Sequence, residues 1–164
     1  MESTLIYSES SLSSRDFIDK LPSYPNLTYL DASFVGFDIG KLINNGLLTR
    51  FTSLRYLDLS SNDLNADDCV AISACLYHLP LLEYLSLSNN TILYQGFHLL
   101  LPAFATLTNL TALNLSNCLC AYFGTEKECH GRGALLQTSR FLGIIQNLAR
   151  GERSSELPLQ LESI

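Results

Sequence analysis

Nowhere in its 164 residues does the chain approach the run of roughly 20 apolar residues that a membrane helix requires. The opening residues, MESTLIYSES, carry neither a basic flank nor an apolar run long enough for a secretory signal. These absences point to a cytoplasmic protein with no membrane partner. A basic excess is lacking too. Residues 1–125 carry five Lys/Arg against eleven Asp/Glu, whereas residues 126–164 carry five of each. Nucleic-acid affinity rests on basic residues that neutralise phosphates, so nucleic acid is not an expected partner. A basic partner would instead be favoured by electrostatic steering. The five cysteines, at 69, 75, 118, 120 and 129, are odd in number and irregular in spacing. They form no disulfide framework and suit a reducing compartment. No Ser/His/Asp arrangement, phosphate-cradling glycine loop or paired acid/base carboxylates stands out, so neither catalysis nor a cofactor is expected.

What the sequence does contain is one spacing, used repeatedly. LRYLDLSSNDL, from Leu54 to Leu64, reads L-x-x-L-x-L-x-x-N-x-L, and LEYLSLSNNTI repeats it from Leu82 through Leu85, Leu87, Asn90 and Ile92. LTALNLSNCLC follows from Leu110, with Cys118 and Cys120 at the last two key places, and LTYLDASFVGF follows the frame more loosely from Leu27. ESTLIYSESSL, from Glu2, is the weakest copy. Frames at 27, 54, 82 and 110 differ by 27, 28 and 28 residues, a period that signals a stacked repeat rather than a closed globule.

Within each copy, Leu57 and Leu59 alternate with Asp58, the period of two expected of a short strand with one face buried. A lone strand cannot keep that face dry, but parallel copies share a continuous core. At the ninth place the chain turns out of the sheet and leaves backbone groups without strand partners. An Asn amide at 62 or 90 can satisfy them as donor and acceptor. Cys118 can fill the slot as a small, weakly bonding side chain. Val35 cannot bond at all, so the Val35–Gly36 step is expected to be an irregular turn. After the turn the period changes. Cys69, Ile72, Leu76 and Leu79 fall at spacings of three and four, which predicts an amphipathic helix with Asp67 and Asp68 at its positive end. Phe97, Leu100, Phe104 and Leu107 take the same places in the next copy, with Gly96 before them and Pro102 expected to kink or interrupt the helix. The expected fold is an α/β solenoid, with a curved parallel sheet on the concave side and helices on the convex side.

Residues 27–120 resemble leucine-rich repeats. A period near 28 with a full helix resembles the subclass found in ribonuclease inhibitor, the Ran GTPase-activating protein and the sensor regions of nucleotide-binding immune receptors. The expected organisation is one domain over 1–164, with repeats near 2–26, 27–53, 54–81, 82–109 and 110–155. An insertion at 121–133 and a partial sixth rung at 156–164 complete it.

With the leucines inward, the third, fifth, seventh and eighth places are expected on the concave face or its rim. They read Tyr29, Tyr56, Tyr84 and Ala112; Asp31, Asp58, Ser86 and Asn114; Ser33, Ser60, Ser88 and Ser116; and Phe34, Ser61, Asn89 and Asn117. Three tyrosines on adjacent rungs would form an aromatic ladder beside carboxylates, and tyrosine is enriched at binding hot spots. The expected partner-binding set is Tyr29, Asp31, Phe34, Arg55, Tyr56, Asp58, Glu83, Tyr84, Ser86 and Asn114. A competing reading has the Tyr and Asp columns merely stacking along the sheet as cross-strand pairs. The serine column suits a crowded strand end. The leading function is a non-catalytic scaffold that binds another protein on its concave face. The resemblance leaves two alternatives: a GTPase-activating or inhibitory module, and a ligand-sensing fragment of an immune-type receptor.

AYFGTEKECHGRG, residues 121–133, has no apolar periodicity and reads as a loop before a helix around 134–150 that buries Leu135, Leu142, Ile145 and Leu148. Cys129 and His130, with Cys118 and Cys120, are zinc-type ligands, but adjacent residues do not easily share one ion, and no metal is expected. Cys129 also lacks a third group to orient His130 as a base. LPLQLESI alternates again and ends before a ninth-place Asn. That leaves a strand edge expected to be covered by further repeats or by a partner.

Overall fold

The structure, a computed structural model, describes residues 3–7, 12–118 and 135–136. Five short strands, β1 (Thr4–Ile6), β2 (Tyr29–Asp31), β3 (Tyr56–Asp58), β4 (Tyr84–Ser86) and β5 (Ala112–Asn114), pair in parallel and in chain order. Between them run α1 (Ser14–Lys20), α2 (Ile39–Asn44), α3 (Asp68–Leu76) and α4 (Leu93–Phe104). This is an unclosed α/β solenoid with strands on one side and helices on the other. Leu57 sits in register with Leu30 and Leu85, and Leu85 with Leu113, and all four are fully buried. Even the weakest copy takes its place, with Leu5 opposite Leu30.

The core is the stack of key places. First-place Leu27, Leu54, Leu82 and Leu110 and sixth-place Ala32, Leu59, Leu87 and Leu115 are buried beside the strand leucines. From the helical side Phe17, Ile72, Leu100 and Phe104 close it. Each rung alone would expose this apolar stripe; stacking removes it from water, and that burial is the main force holding the array together.

Ninth-place amides bond their own turn, as anticipated, and the preceding rung as well. Asn62 Nδ2 donates to the carbonyls of Ala32, Leu59 and Ser60 at 2.9–3.1 Å, and its Oδ1 accepts from Gly36 N–H at 2.9 Å. Asn90 Oδ1 accepts from the N–H groups of Asn62 and Leu64, while its Nδ2 donates to Leu59, Leu87 and Ser88 carbonyls. Cys118 Sγ donates to Leu87 carbonyl at 2.7 Å. Val35 is buried without such bonds, and the chain turns after it at Gly36, whose φ of +70° is left-handed and leads into a 3-10 turn over Gly36–Asp38.

Three expectations change. Pro102 does not interrupt α4, which runs on to Phe104; the proline lies in the last turn, where its missing N–H forfeits one helical bond and little follows it. Gly96 lies inside α4, not ahead of it. A Cβ there would stand 2.7 Å from Cys69 Sγ and 3.0 Å from Ala66 Cα, so the glycine lets α4 approach the start of the preceding helix closely. Finally, Leu135–Leu136 is a strand, β6, rather than the start of a helix, and it pairs antiparallel with β5. A strand edge offers unpaired N–H and C=O groups to whatever chain lies beside it, and an antiparallel return needs no crossover helix. Leu142, Ile145 and Leu148, the 121–133 insertion with Cys129 and His130, Cys120, and the partial sixth rung fall outside the described residues.

Candidate functional site

The sheet register aligns like places of successive rungs, so each column is a row of neighbours about 4.8 Å apart. In the third column the rings of Tyr29 and Tyr56 stack with centroids 3.9 Å apart and planes within 7°. Tyr56 and Tyr84 stack at 4.3 Å and 2°. Tyr56 is thus stacked on both faces, and Tyr29 and Tyr84 on one each. Burial raises the Tyr56 pKa above the ordinary tyrosine value, and the Tyr29 hydroxyl, Tyr84 and the Asp58 carboxylate add to the shift. Tyr56 is therefore neutral across the physiological range and can donate its proton to an acceptor.

In the fifth column the side chains fold back on their own strand ends. Asp31 Oδ1 accepts from the Ser33 N–H at 2.9 Å and hydroxyl at 2.6 Å, Asp58 Oδ1 from Ser60 N–H at 2.8 Å, and Asn114 Oδ1 from Ser116 N–H at 3.1 Å. These i to i+2 bonds are Asx turns, and they fix how each strand leaves the sheet. The D-x-S and N-x-S spacing of Asp31/Ser33, Asp58/Ser60 and Asn114/Ser116 was the sequence signal for them. Ser86, placed in the binding set from sequence, is only 1% exposed and shares its hydroxyl with Ser88. The seventh column, expected on the concave side or its rim, is largely buried at Ser33, Ser60 and Ser88, because the turn folds these hydroxyls under the strand ends.

The remaining members of the set occupy two borders. Arg55 and Glu83, one place before their tyrosines, form an ion pair across neighbouring rungs with about half of each side chain exposed. Screening leaves such a pair little net energy, but it neutralises both charges locally. At the opposite border the eighth place is left-handed in all four rungs, with φ of 57° at Phe34, 56° at Ser61, 54° at Asn89 and 59° at Asn117. Sequence reading listed this column but did not anticipate its left-handed backbone. Asn at two of its four places was the available signal, since Asn tolerates this backbone and a bulky ring does not. Phe34 nevertheless stands there 70% exposed.

Among the described residues no group of three or more His, Cys, Asp or Glu could hold a metal ion. Burial raises the pKa of Cys69 to about 12 and pushes that of Cys75 up, so both thiols stay protonated. No helix among the described residues is long and apolar enough to cross a membrane.

Strand–helix rungs in parallel register, with a leucine seam inside and polar columns outside, define a repeat solenoid with an open strand face. Residues 52–73, which span β3 and the first part of α3, match the family model described as Leucine Rich repeat. Such domains generally mediate protein–protein interaction and typically act as non-catalytic modules. No curated protein and no solved structure matches the chain.

Proposed function

We propose that the protein is a non-catalytic, intracellular interaction scaffold, a single domain of the ribonuclease-inhibitor-like repeat subclass, whose concave strand face binds one protein partner. The observation that carries this reading is the stacked Tyr29–Tyr56–Tyr84 ladder, which holds three aromatic rings parallel on adjacent strands. A pre-ordered aromatic surface loses little side-chain entropy on binding, which is what a hot spot requires. Asp31 and Asp58 line one side of the ladder, Asn114 continues their column and Phe34 stands beyond it. The Arg55–Glu83 pair borders the other side. Nucleic acid and membrane are not the intended targets of so acidic a face.

Changing Tyr56 and Tyr84 together to Ala is expected to weaken the partner complex about 100-fold or more, the scale of two hot-spot side chains. The partner would be captured from the native cell type with wild-type chain, identified, and titrated against both proteins. An unchanged affinity, with the far-UV spectrum preserved, would move the site off this face.

A further inference from the structure

Charge is spread unevenly along the chain. Residues 1–68 carry ten Asp/Glu and five Lys/Arg, whereas over residues 69–125 the only one is Glu83, which pairs with Arg55 on the strand side. On α3 the convex surface is apolar as well. Cys69, Ile72 and Leu76 are buried in the core, while Val70, Ala74 and Tyr77 form a second stripe on the other face, with Val70 60% and Tyr77 50% exposed. A surface helix ordinarily turns a polar face to water. This stripe ends in charges of opposite sign. Asp67, one turn before Val70, is exposed at its N-terminal end. Arg50, also exposed, closes the 3-10 helix Leu47–Arg50, which packs against α3. It precedes Phe51 as His78 precedes Leu79, and the Phe51 and Leu79 N–H groups donate to the matching carbonyls of Leu48 and Leu76, so Arg50 lies one rung beside His78, at the C-terminal end of the stripe. Neither the Asp67 carboxylate nor the Arg50 guanidinium has a partner among the described residues.

We propose that α3 is the contact of a two-fold homodimer, in which the stripes of two copies lie antiparallel against each other. A two-fold contact must complement itself, residue i meeting j and j meeting i. Antiparallel alignment brings each Asp67 opposite the other copy's Arg50, so both ends pair at once while the apolar stripe is covered between them. At 1.5 Å per residue the stripe is about 15 Å long, and Ala74 falls near the axis, where its small side chain lets the helices approach. A partner of a single charge would match one end of the stripe and clash with the other. The concave faces stay open, so the dimer goes beyond the concave-face reading and does not depend on it.

Sedimentation equilibrium of the full chain tests the contact. One helical stripe is at the small end of specific interfaces, so the dimer is expected to dissociate at about 10 μM. Asp67→Arg and Arg50→Asp each set like charges face to face and should weaken it about tenfold. Mixing the two variants pairs each new charge with its opposite and should restore association as a heterodimer. Ala74→Glu keeps a good helix former at an exposed position but sets two carboxylates at the axis, and should weaken the dimer about 100-fold. Far-UV spectra and melting curves control for folding, and Ala74→Glu carries the test should Asp67→Arg disturb the start of α3. A wild-type monomer at about 500 μM, an assembly larger than a dimer, a mixture that does not associate, or undiminished association of Ala74→Glu would overturn the proposal.

Discussion

The third and fourth rungs carry Asn62 and Asn90 at the ninth place, whereas the second carries Val35 and the fifth Cys118. The hydrogen bonds explain why the array accepts both. A ninth-place amide bonds the rung before its own as well as its own turn. Gly36 N–H and the Ala32 carbonyl, both in the second rung, depend on Asn62. In the third rung, the N–H groups of Asn62 and Leu64 depend on Asn90. By contrast, the Leu87 carbonyl that Cys118 reaches already accepts from Asn90. A rung can thus lack its own amide if the next rung supplies one, and the inner amides are worth more than the outer substitutes.

The largest perturbation would erase the difference between rungs altogether. Leu57→Asp places a carboxylate in the seam between Leu30 and Leu85 and should cost more than about 4 kcal/mol, abolishing the cooperative melt. A melt like that of the wild type would show that the seam is not shared. Asn62→Ala and Asn90→Ala test the amide ladder directly. Each leaves two backbone groups of the preceding rung without their amide partner, both buried for Asn90 and one of them part-buried for Asn62, and should destabilise by about 3 kcal/mol in denaturant unfolding. Cys118→Ala, which orphans none of the groups named above, should cost no more than about 1 kcal/mol. Equal losses at all three positions would remove the distinction between inner and outer rungs.

Tyr56, at the centre of the ladder, allows a gentler comparison with an unstacked chain. Its folded pKa is raised above the usual 10, so its contribution is complete below that pH and fades as alkali ionises the unfolded chain but not the folded one. Stability should therefore fall as pH rises past 10, with less of a fall in Tyr56→Phe, when melting temperatures of the two proteins are compared. An identical alkaline decline would mean that Tyr56 is not held neutral by the stack.

The leucine seam and the register were legible because period and burial coincide: a residue every 28 positions has no other reason to stay apolar. Asn62 and Asn90 were legible as turn amides for the same reason, though not the rung they serve, because sequence spacing does not reveal which neighbour a side chain reaches. Gly96 was misplaced because a glycine ahead of a helix and a glycine under a close helix contact look alike until Cys69 is set opposite it. The β6 pairing was not legible at all, since Leu135 and Leu136 fit a helical face as well as a strand edge. In the candidate site the tyrosine column could be listed from sequence, but not that its faces are mutually packed, nor that Ser86 is buried beneath it.

Phe34 is the sharpest contrast between what the fold prefers and what the surface displays. Asn occupies the same left-handed place at 89 and 117, where a polar amide tolerates the backbone at small cost. A phenylalanine there strains the chain, and at 70% exposure it recovers little by burial. Phe34→Asn should therefore raise unfolding stability by about 0.5–1 kcal/mol, an unusual gain for removing a large apolar side chain. If the ring is an anchor for the partner, the same change should weaken the complex, so stability and affinity would move in opposite directions. A variant that gains stability and loses no affinity would leave Phe34 as an unrelieved strain on the rim and confine the binding surface to the tyrosine ladder. One that loses stability would show that the second rung, which lacks an amide of its own, uses the ring to hold its turn.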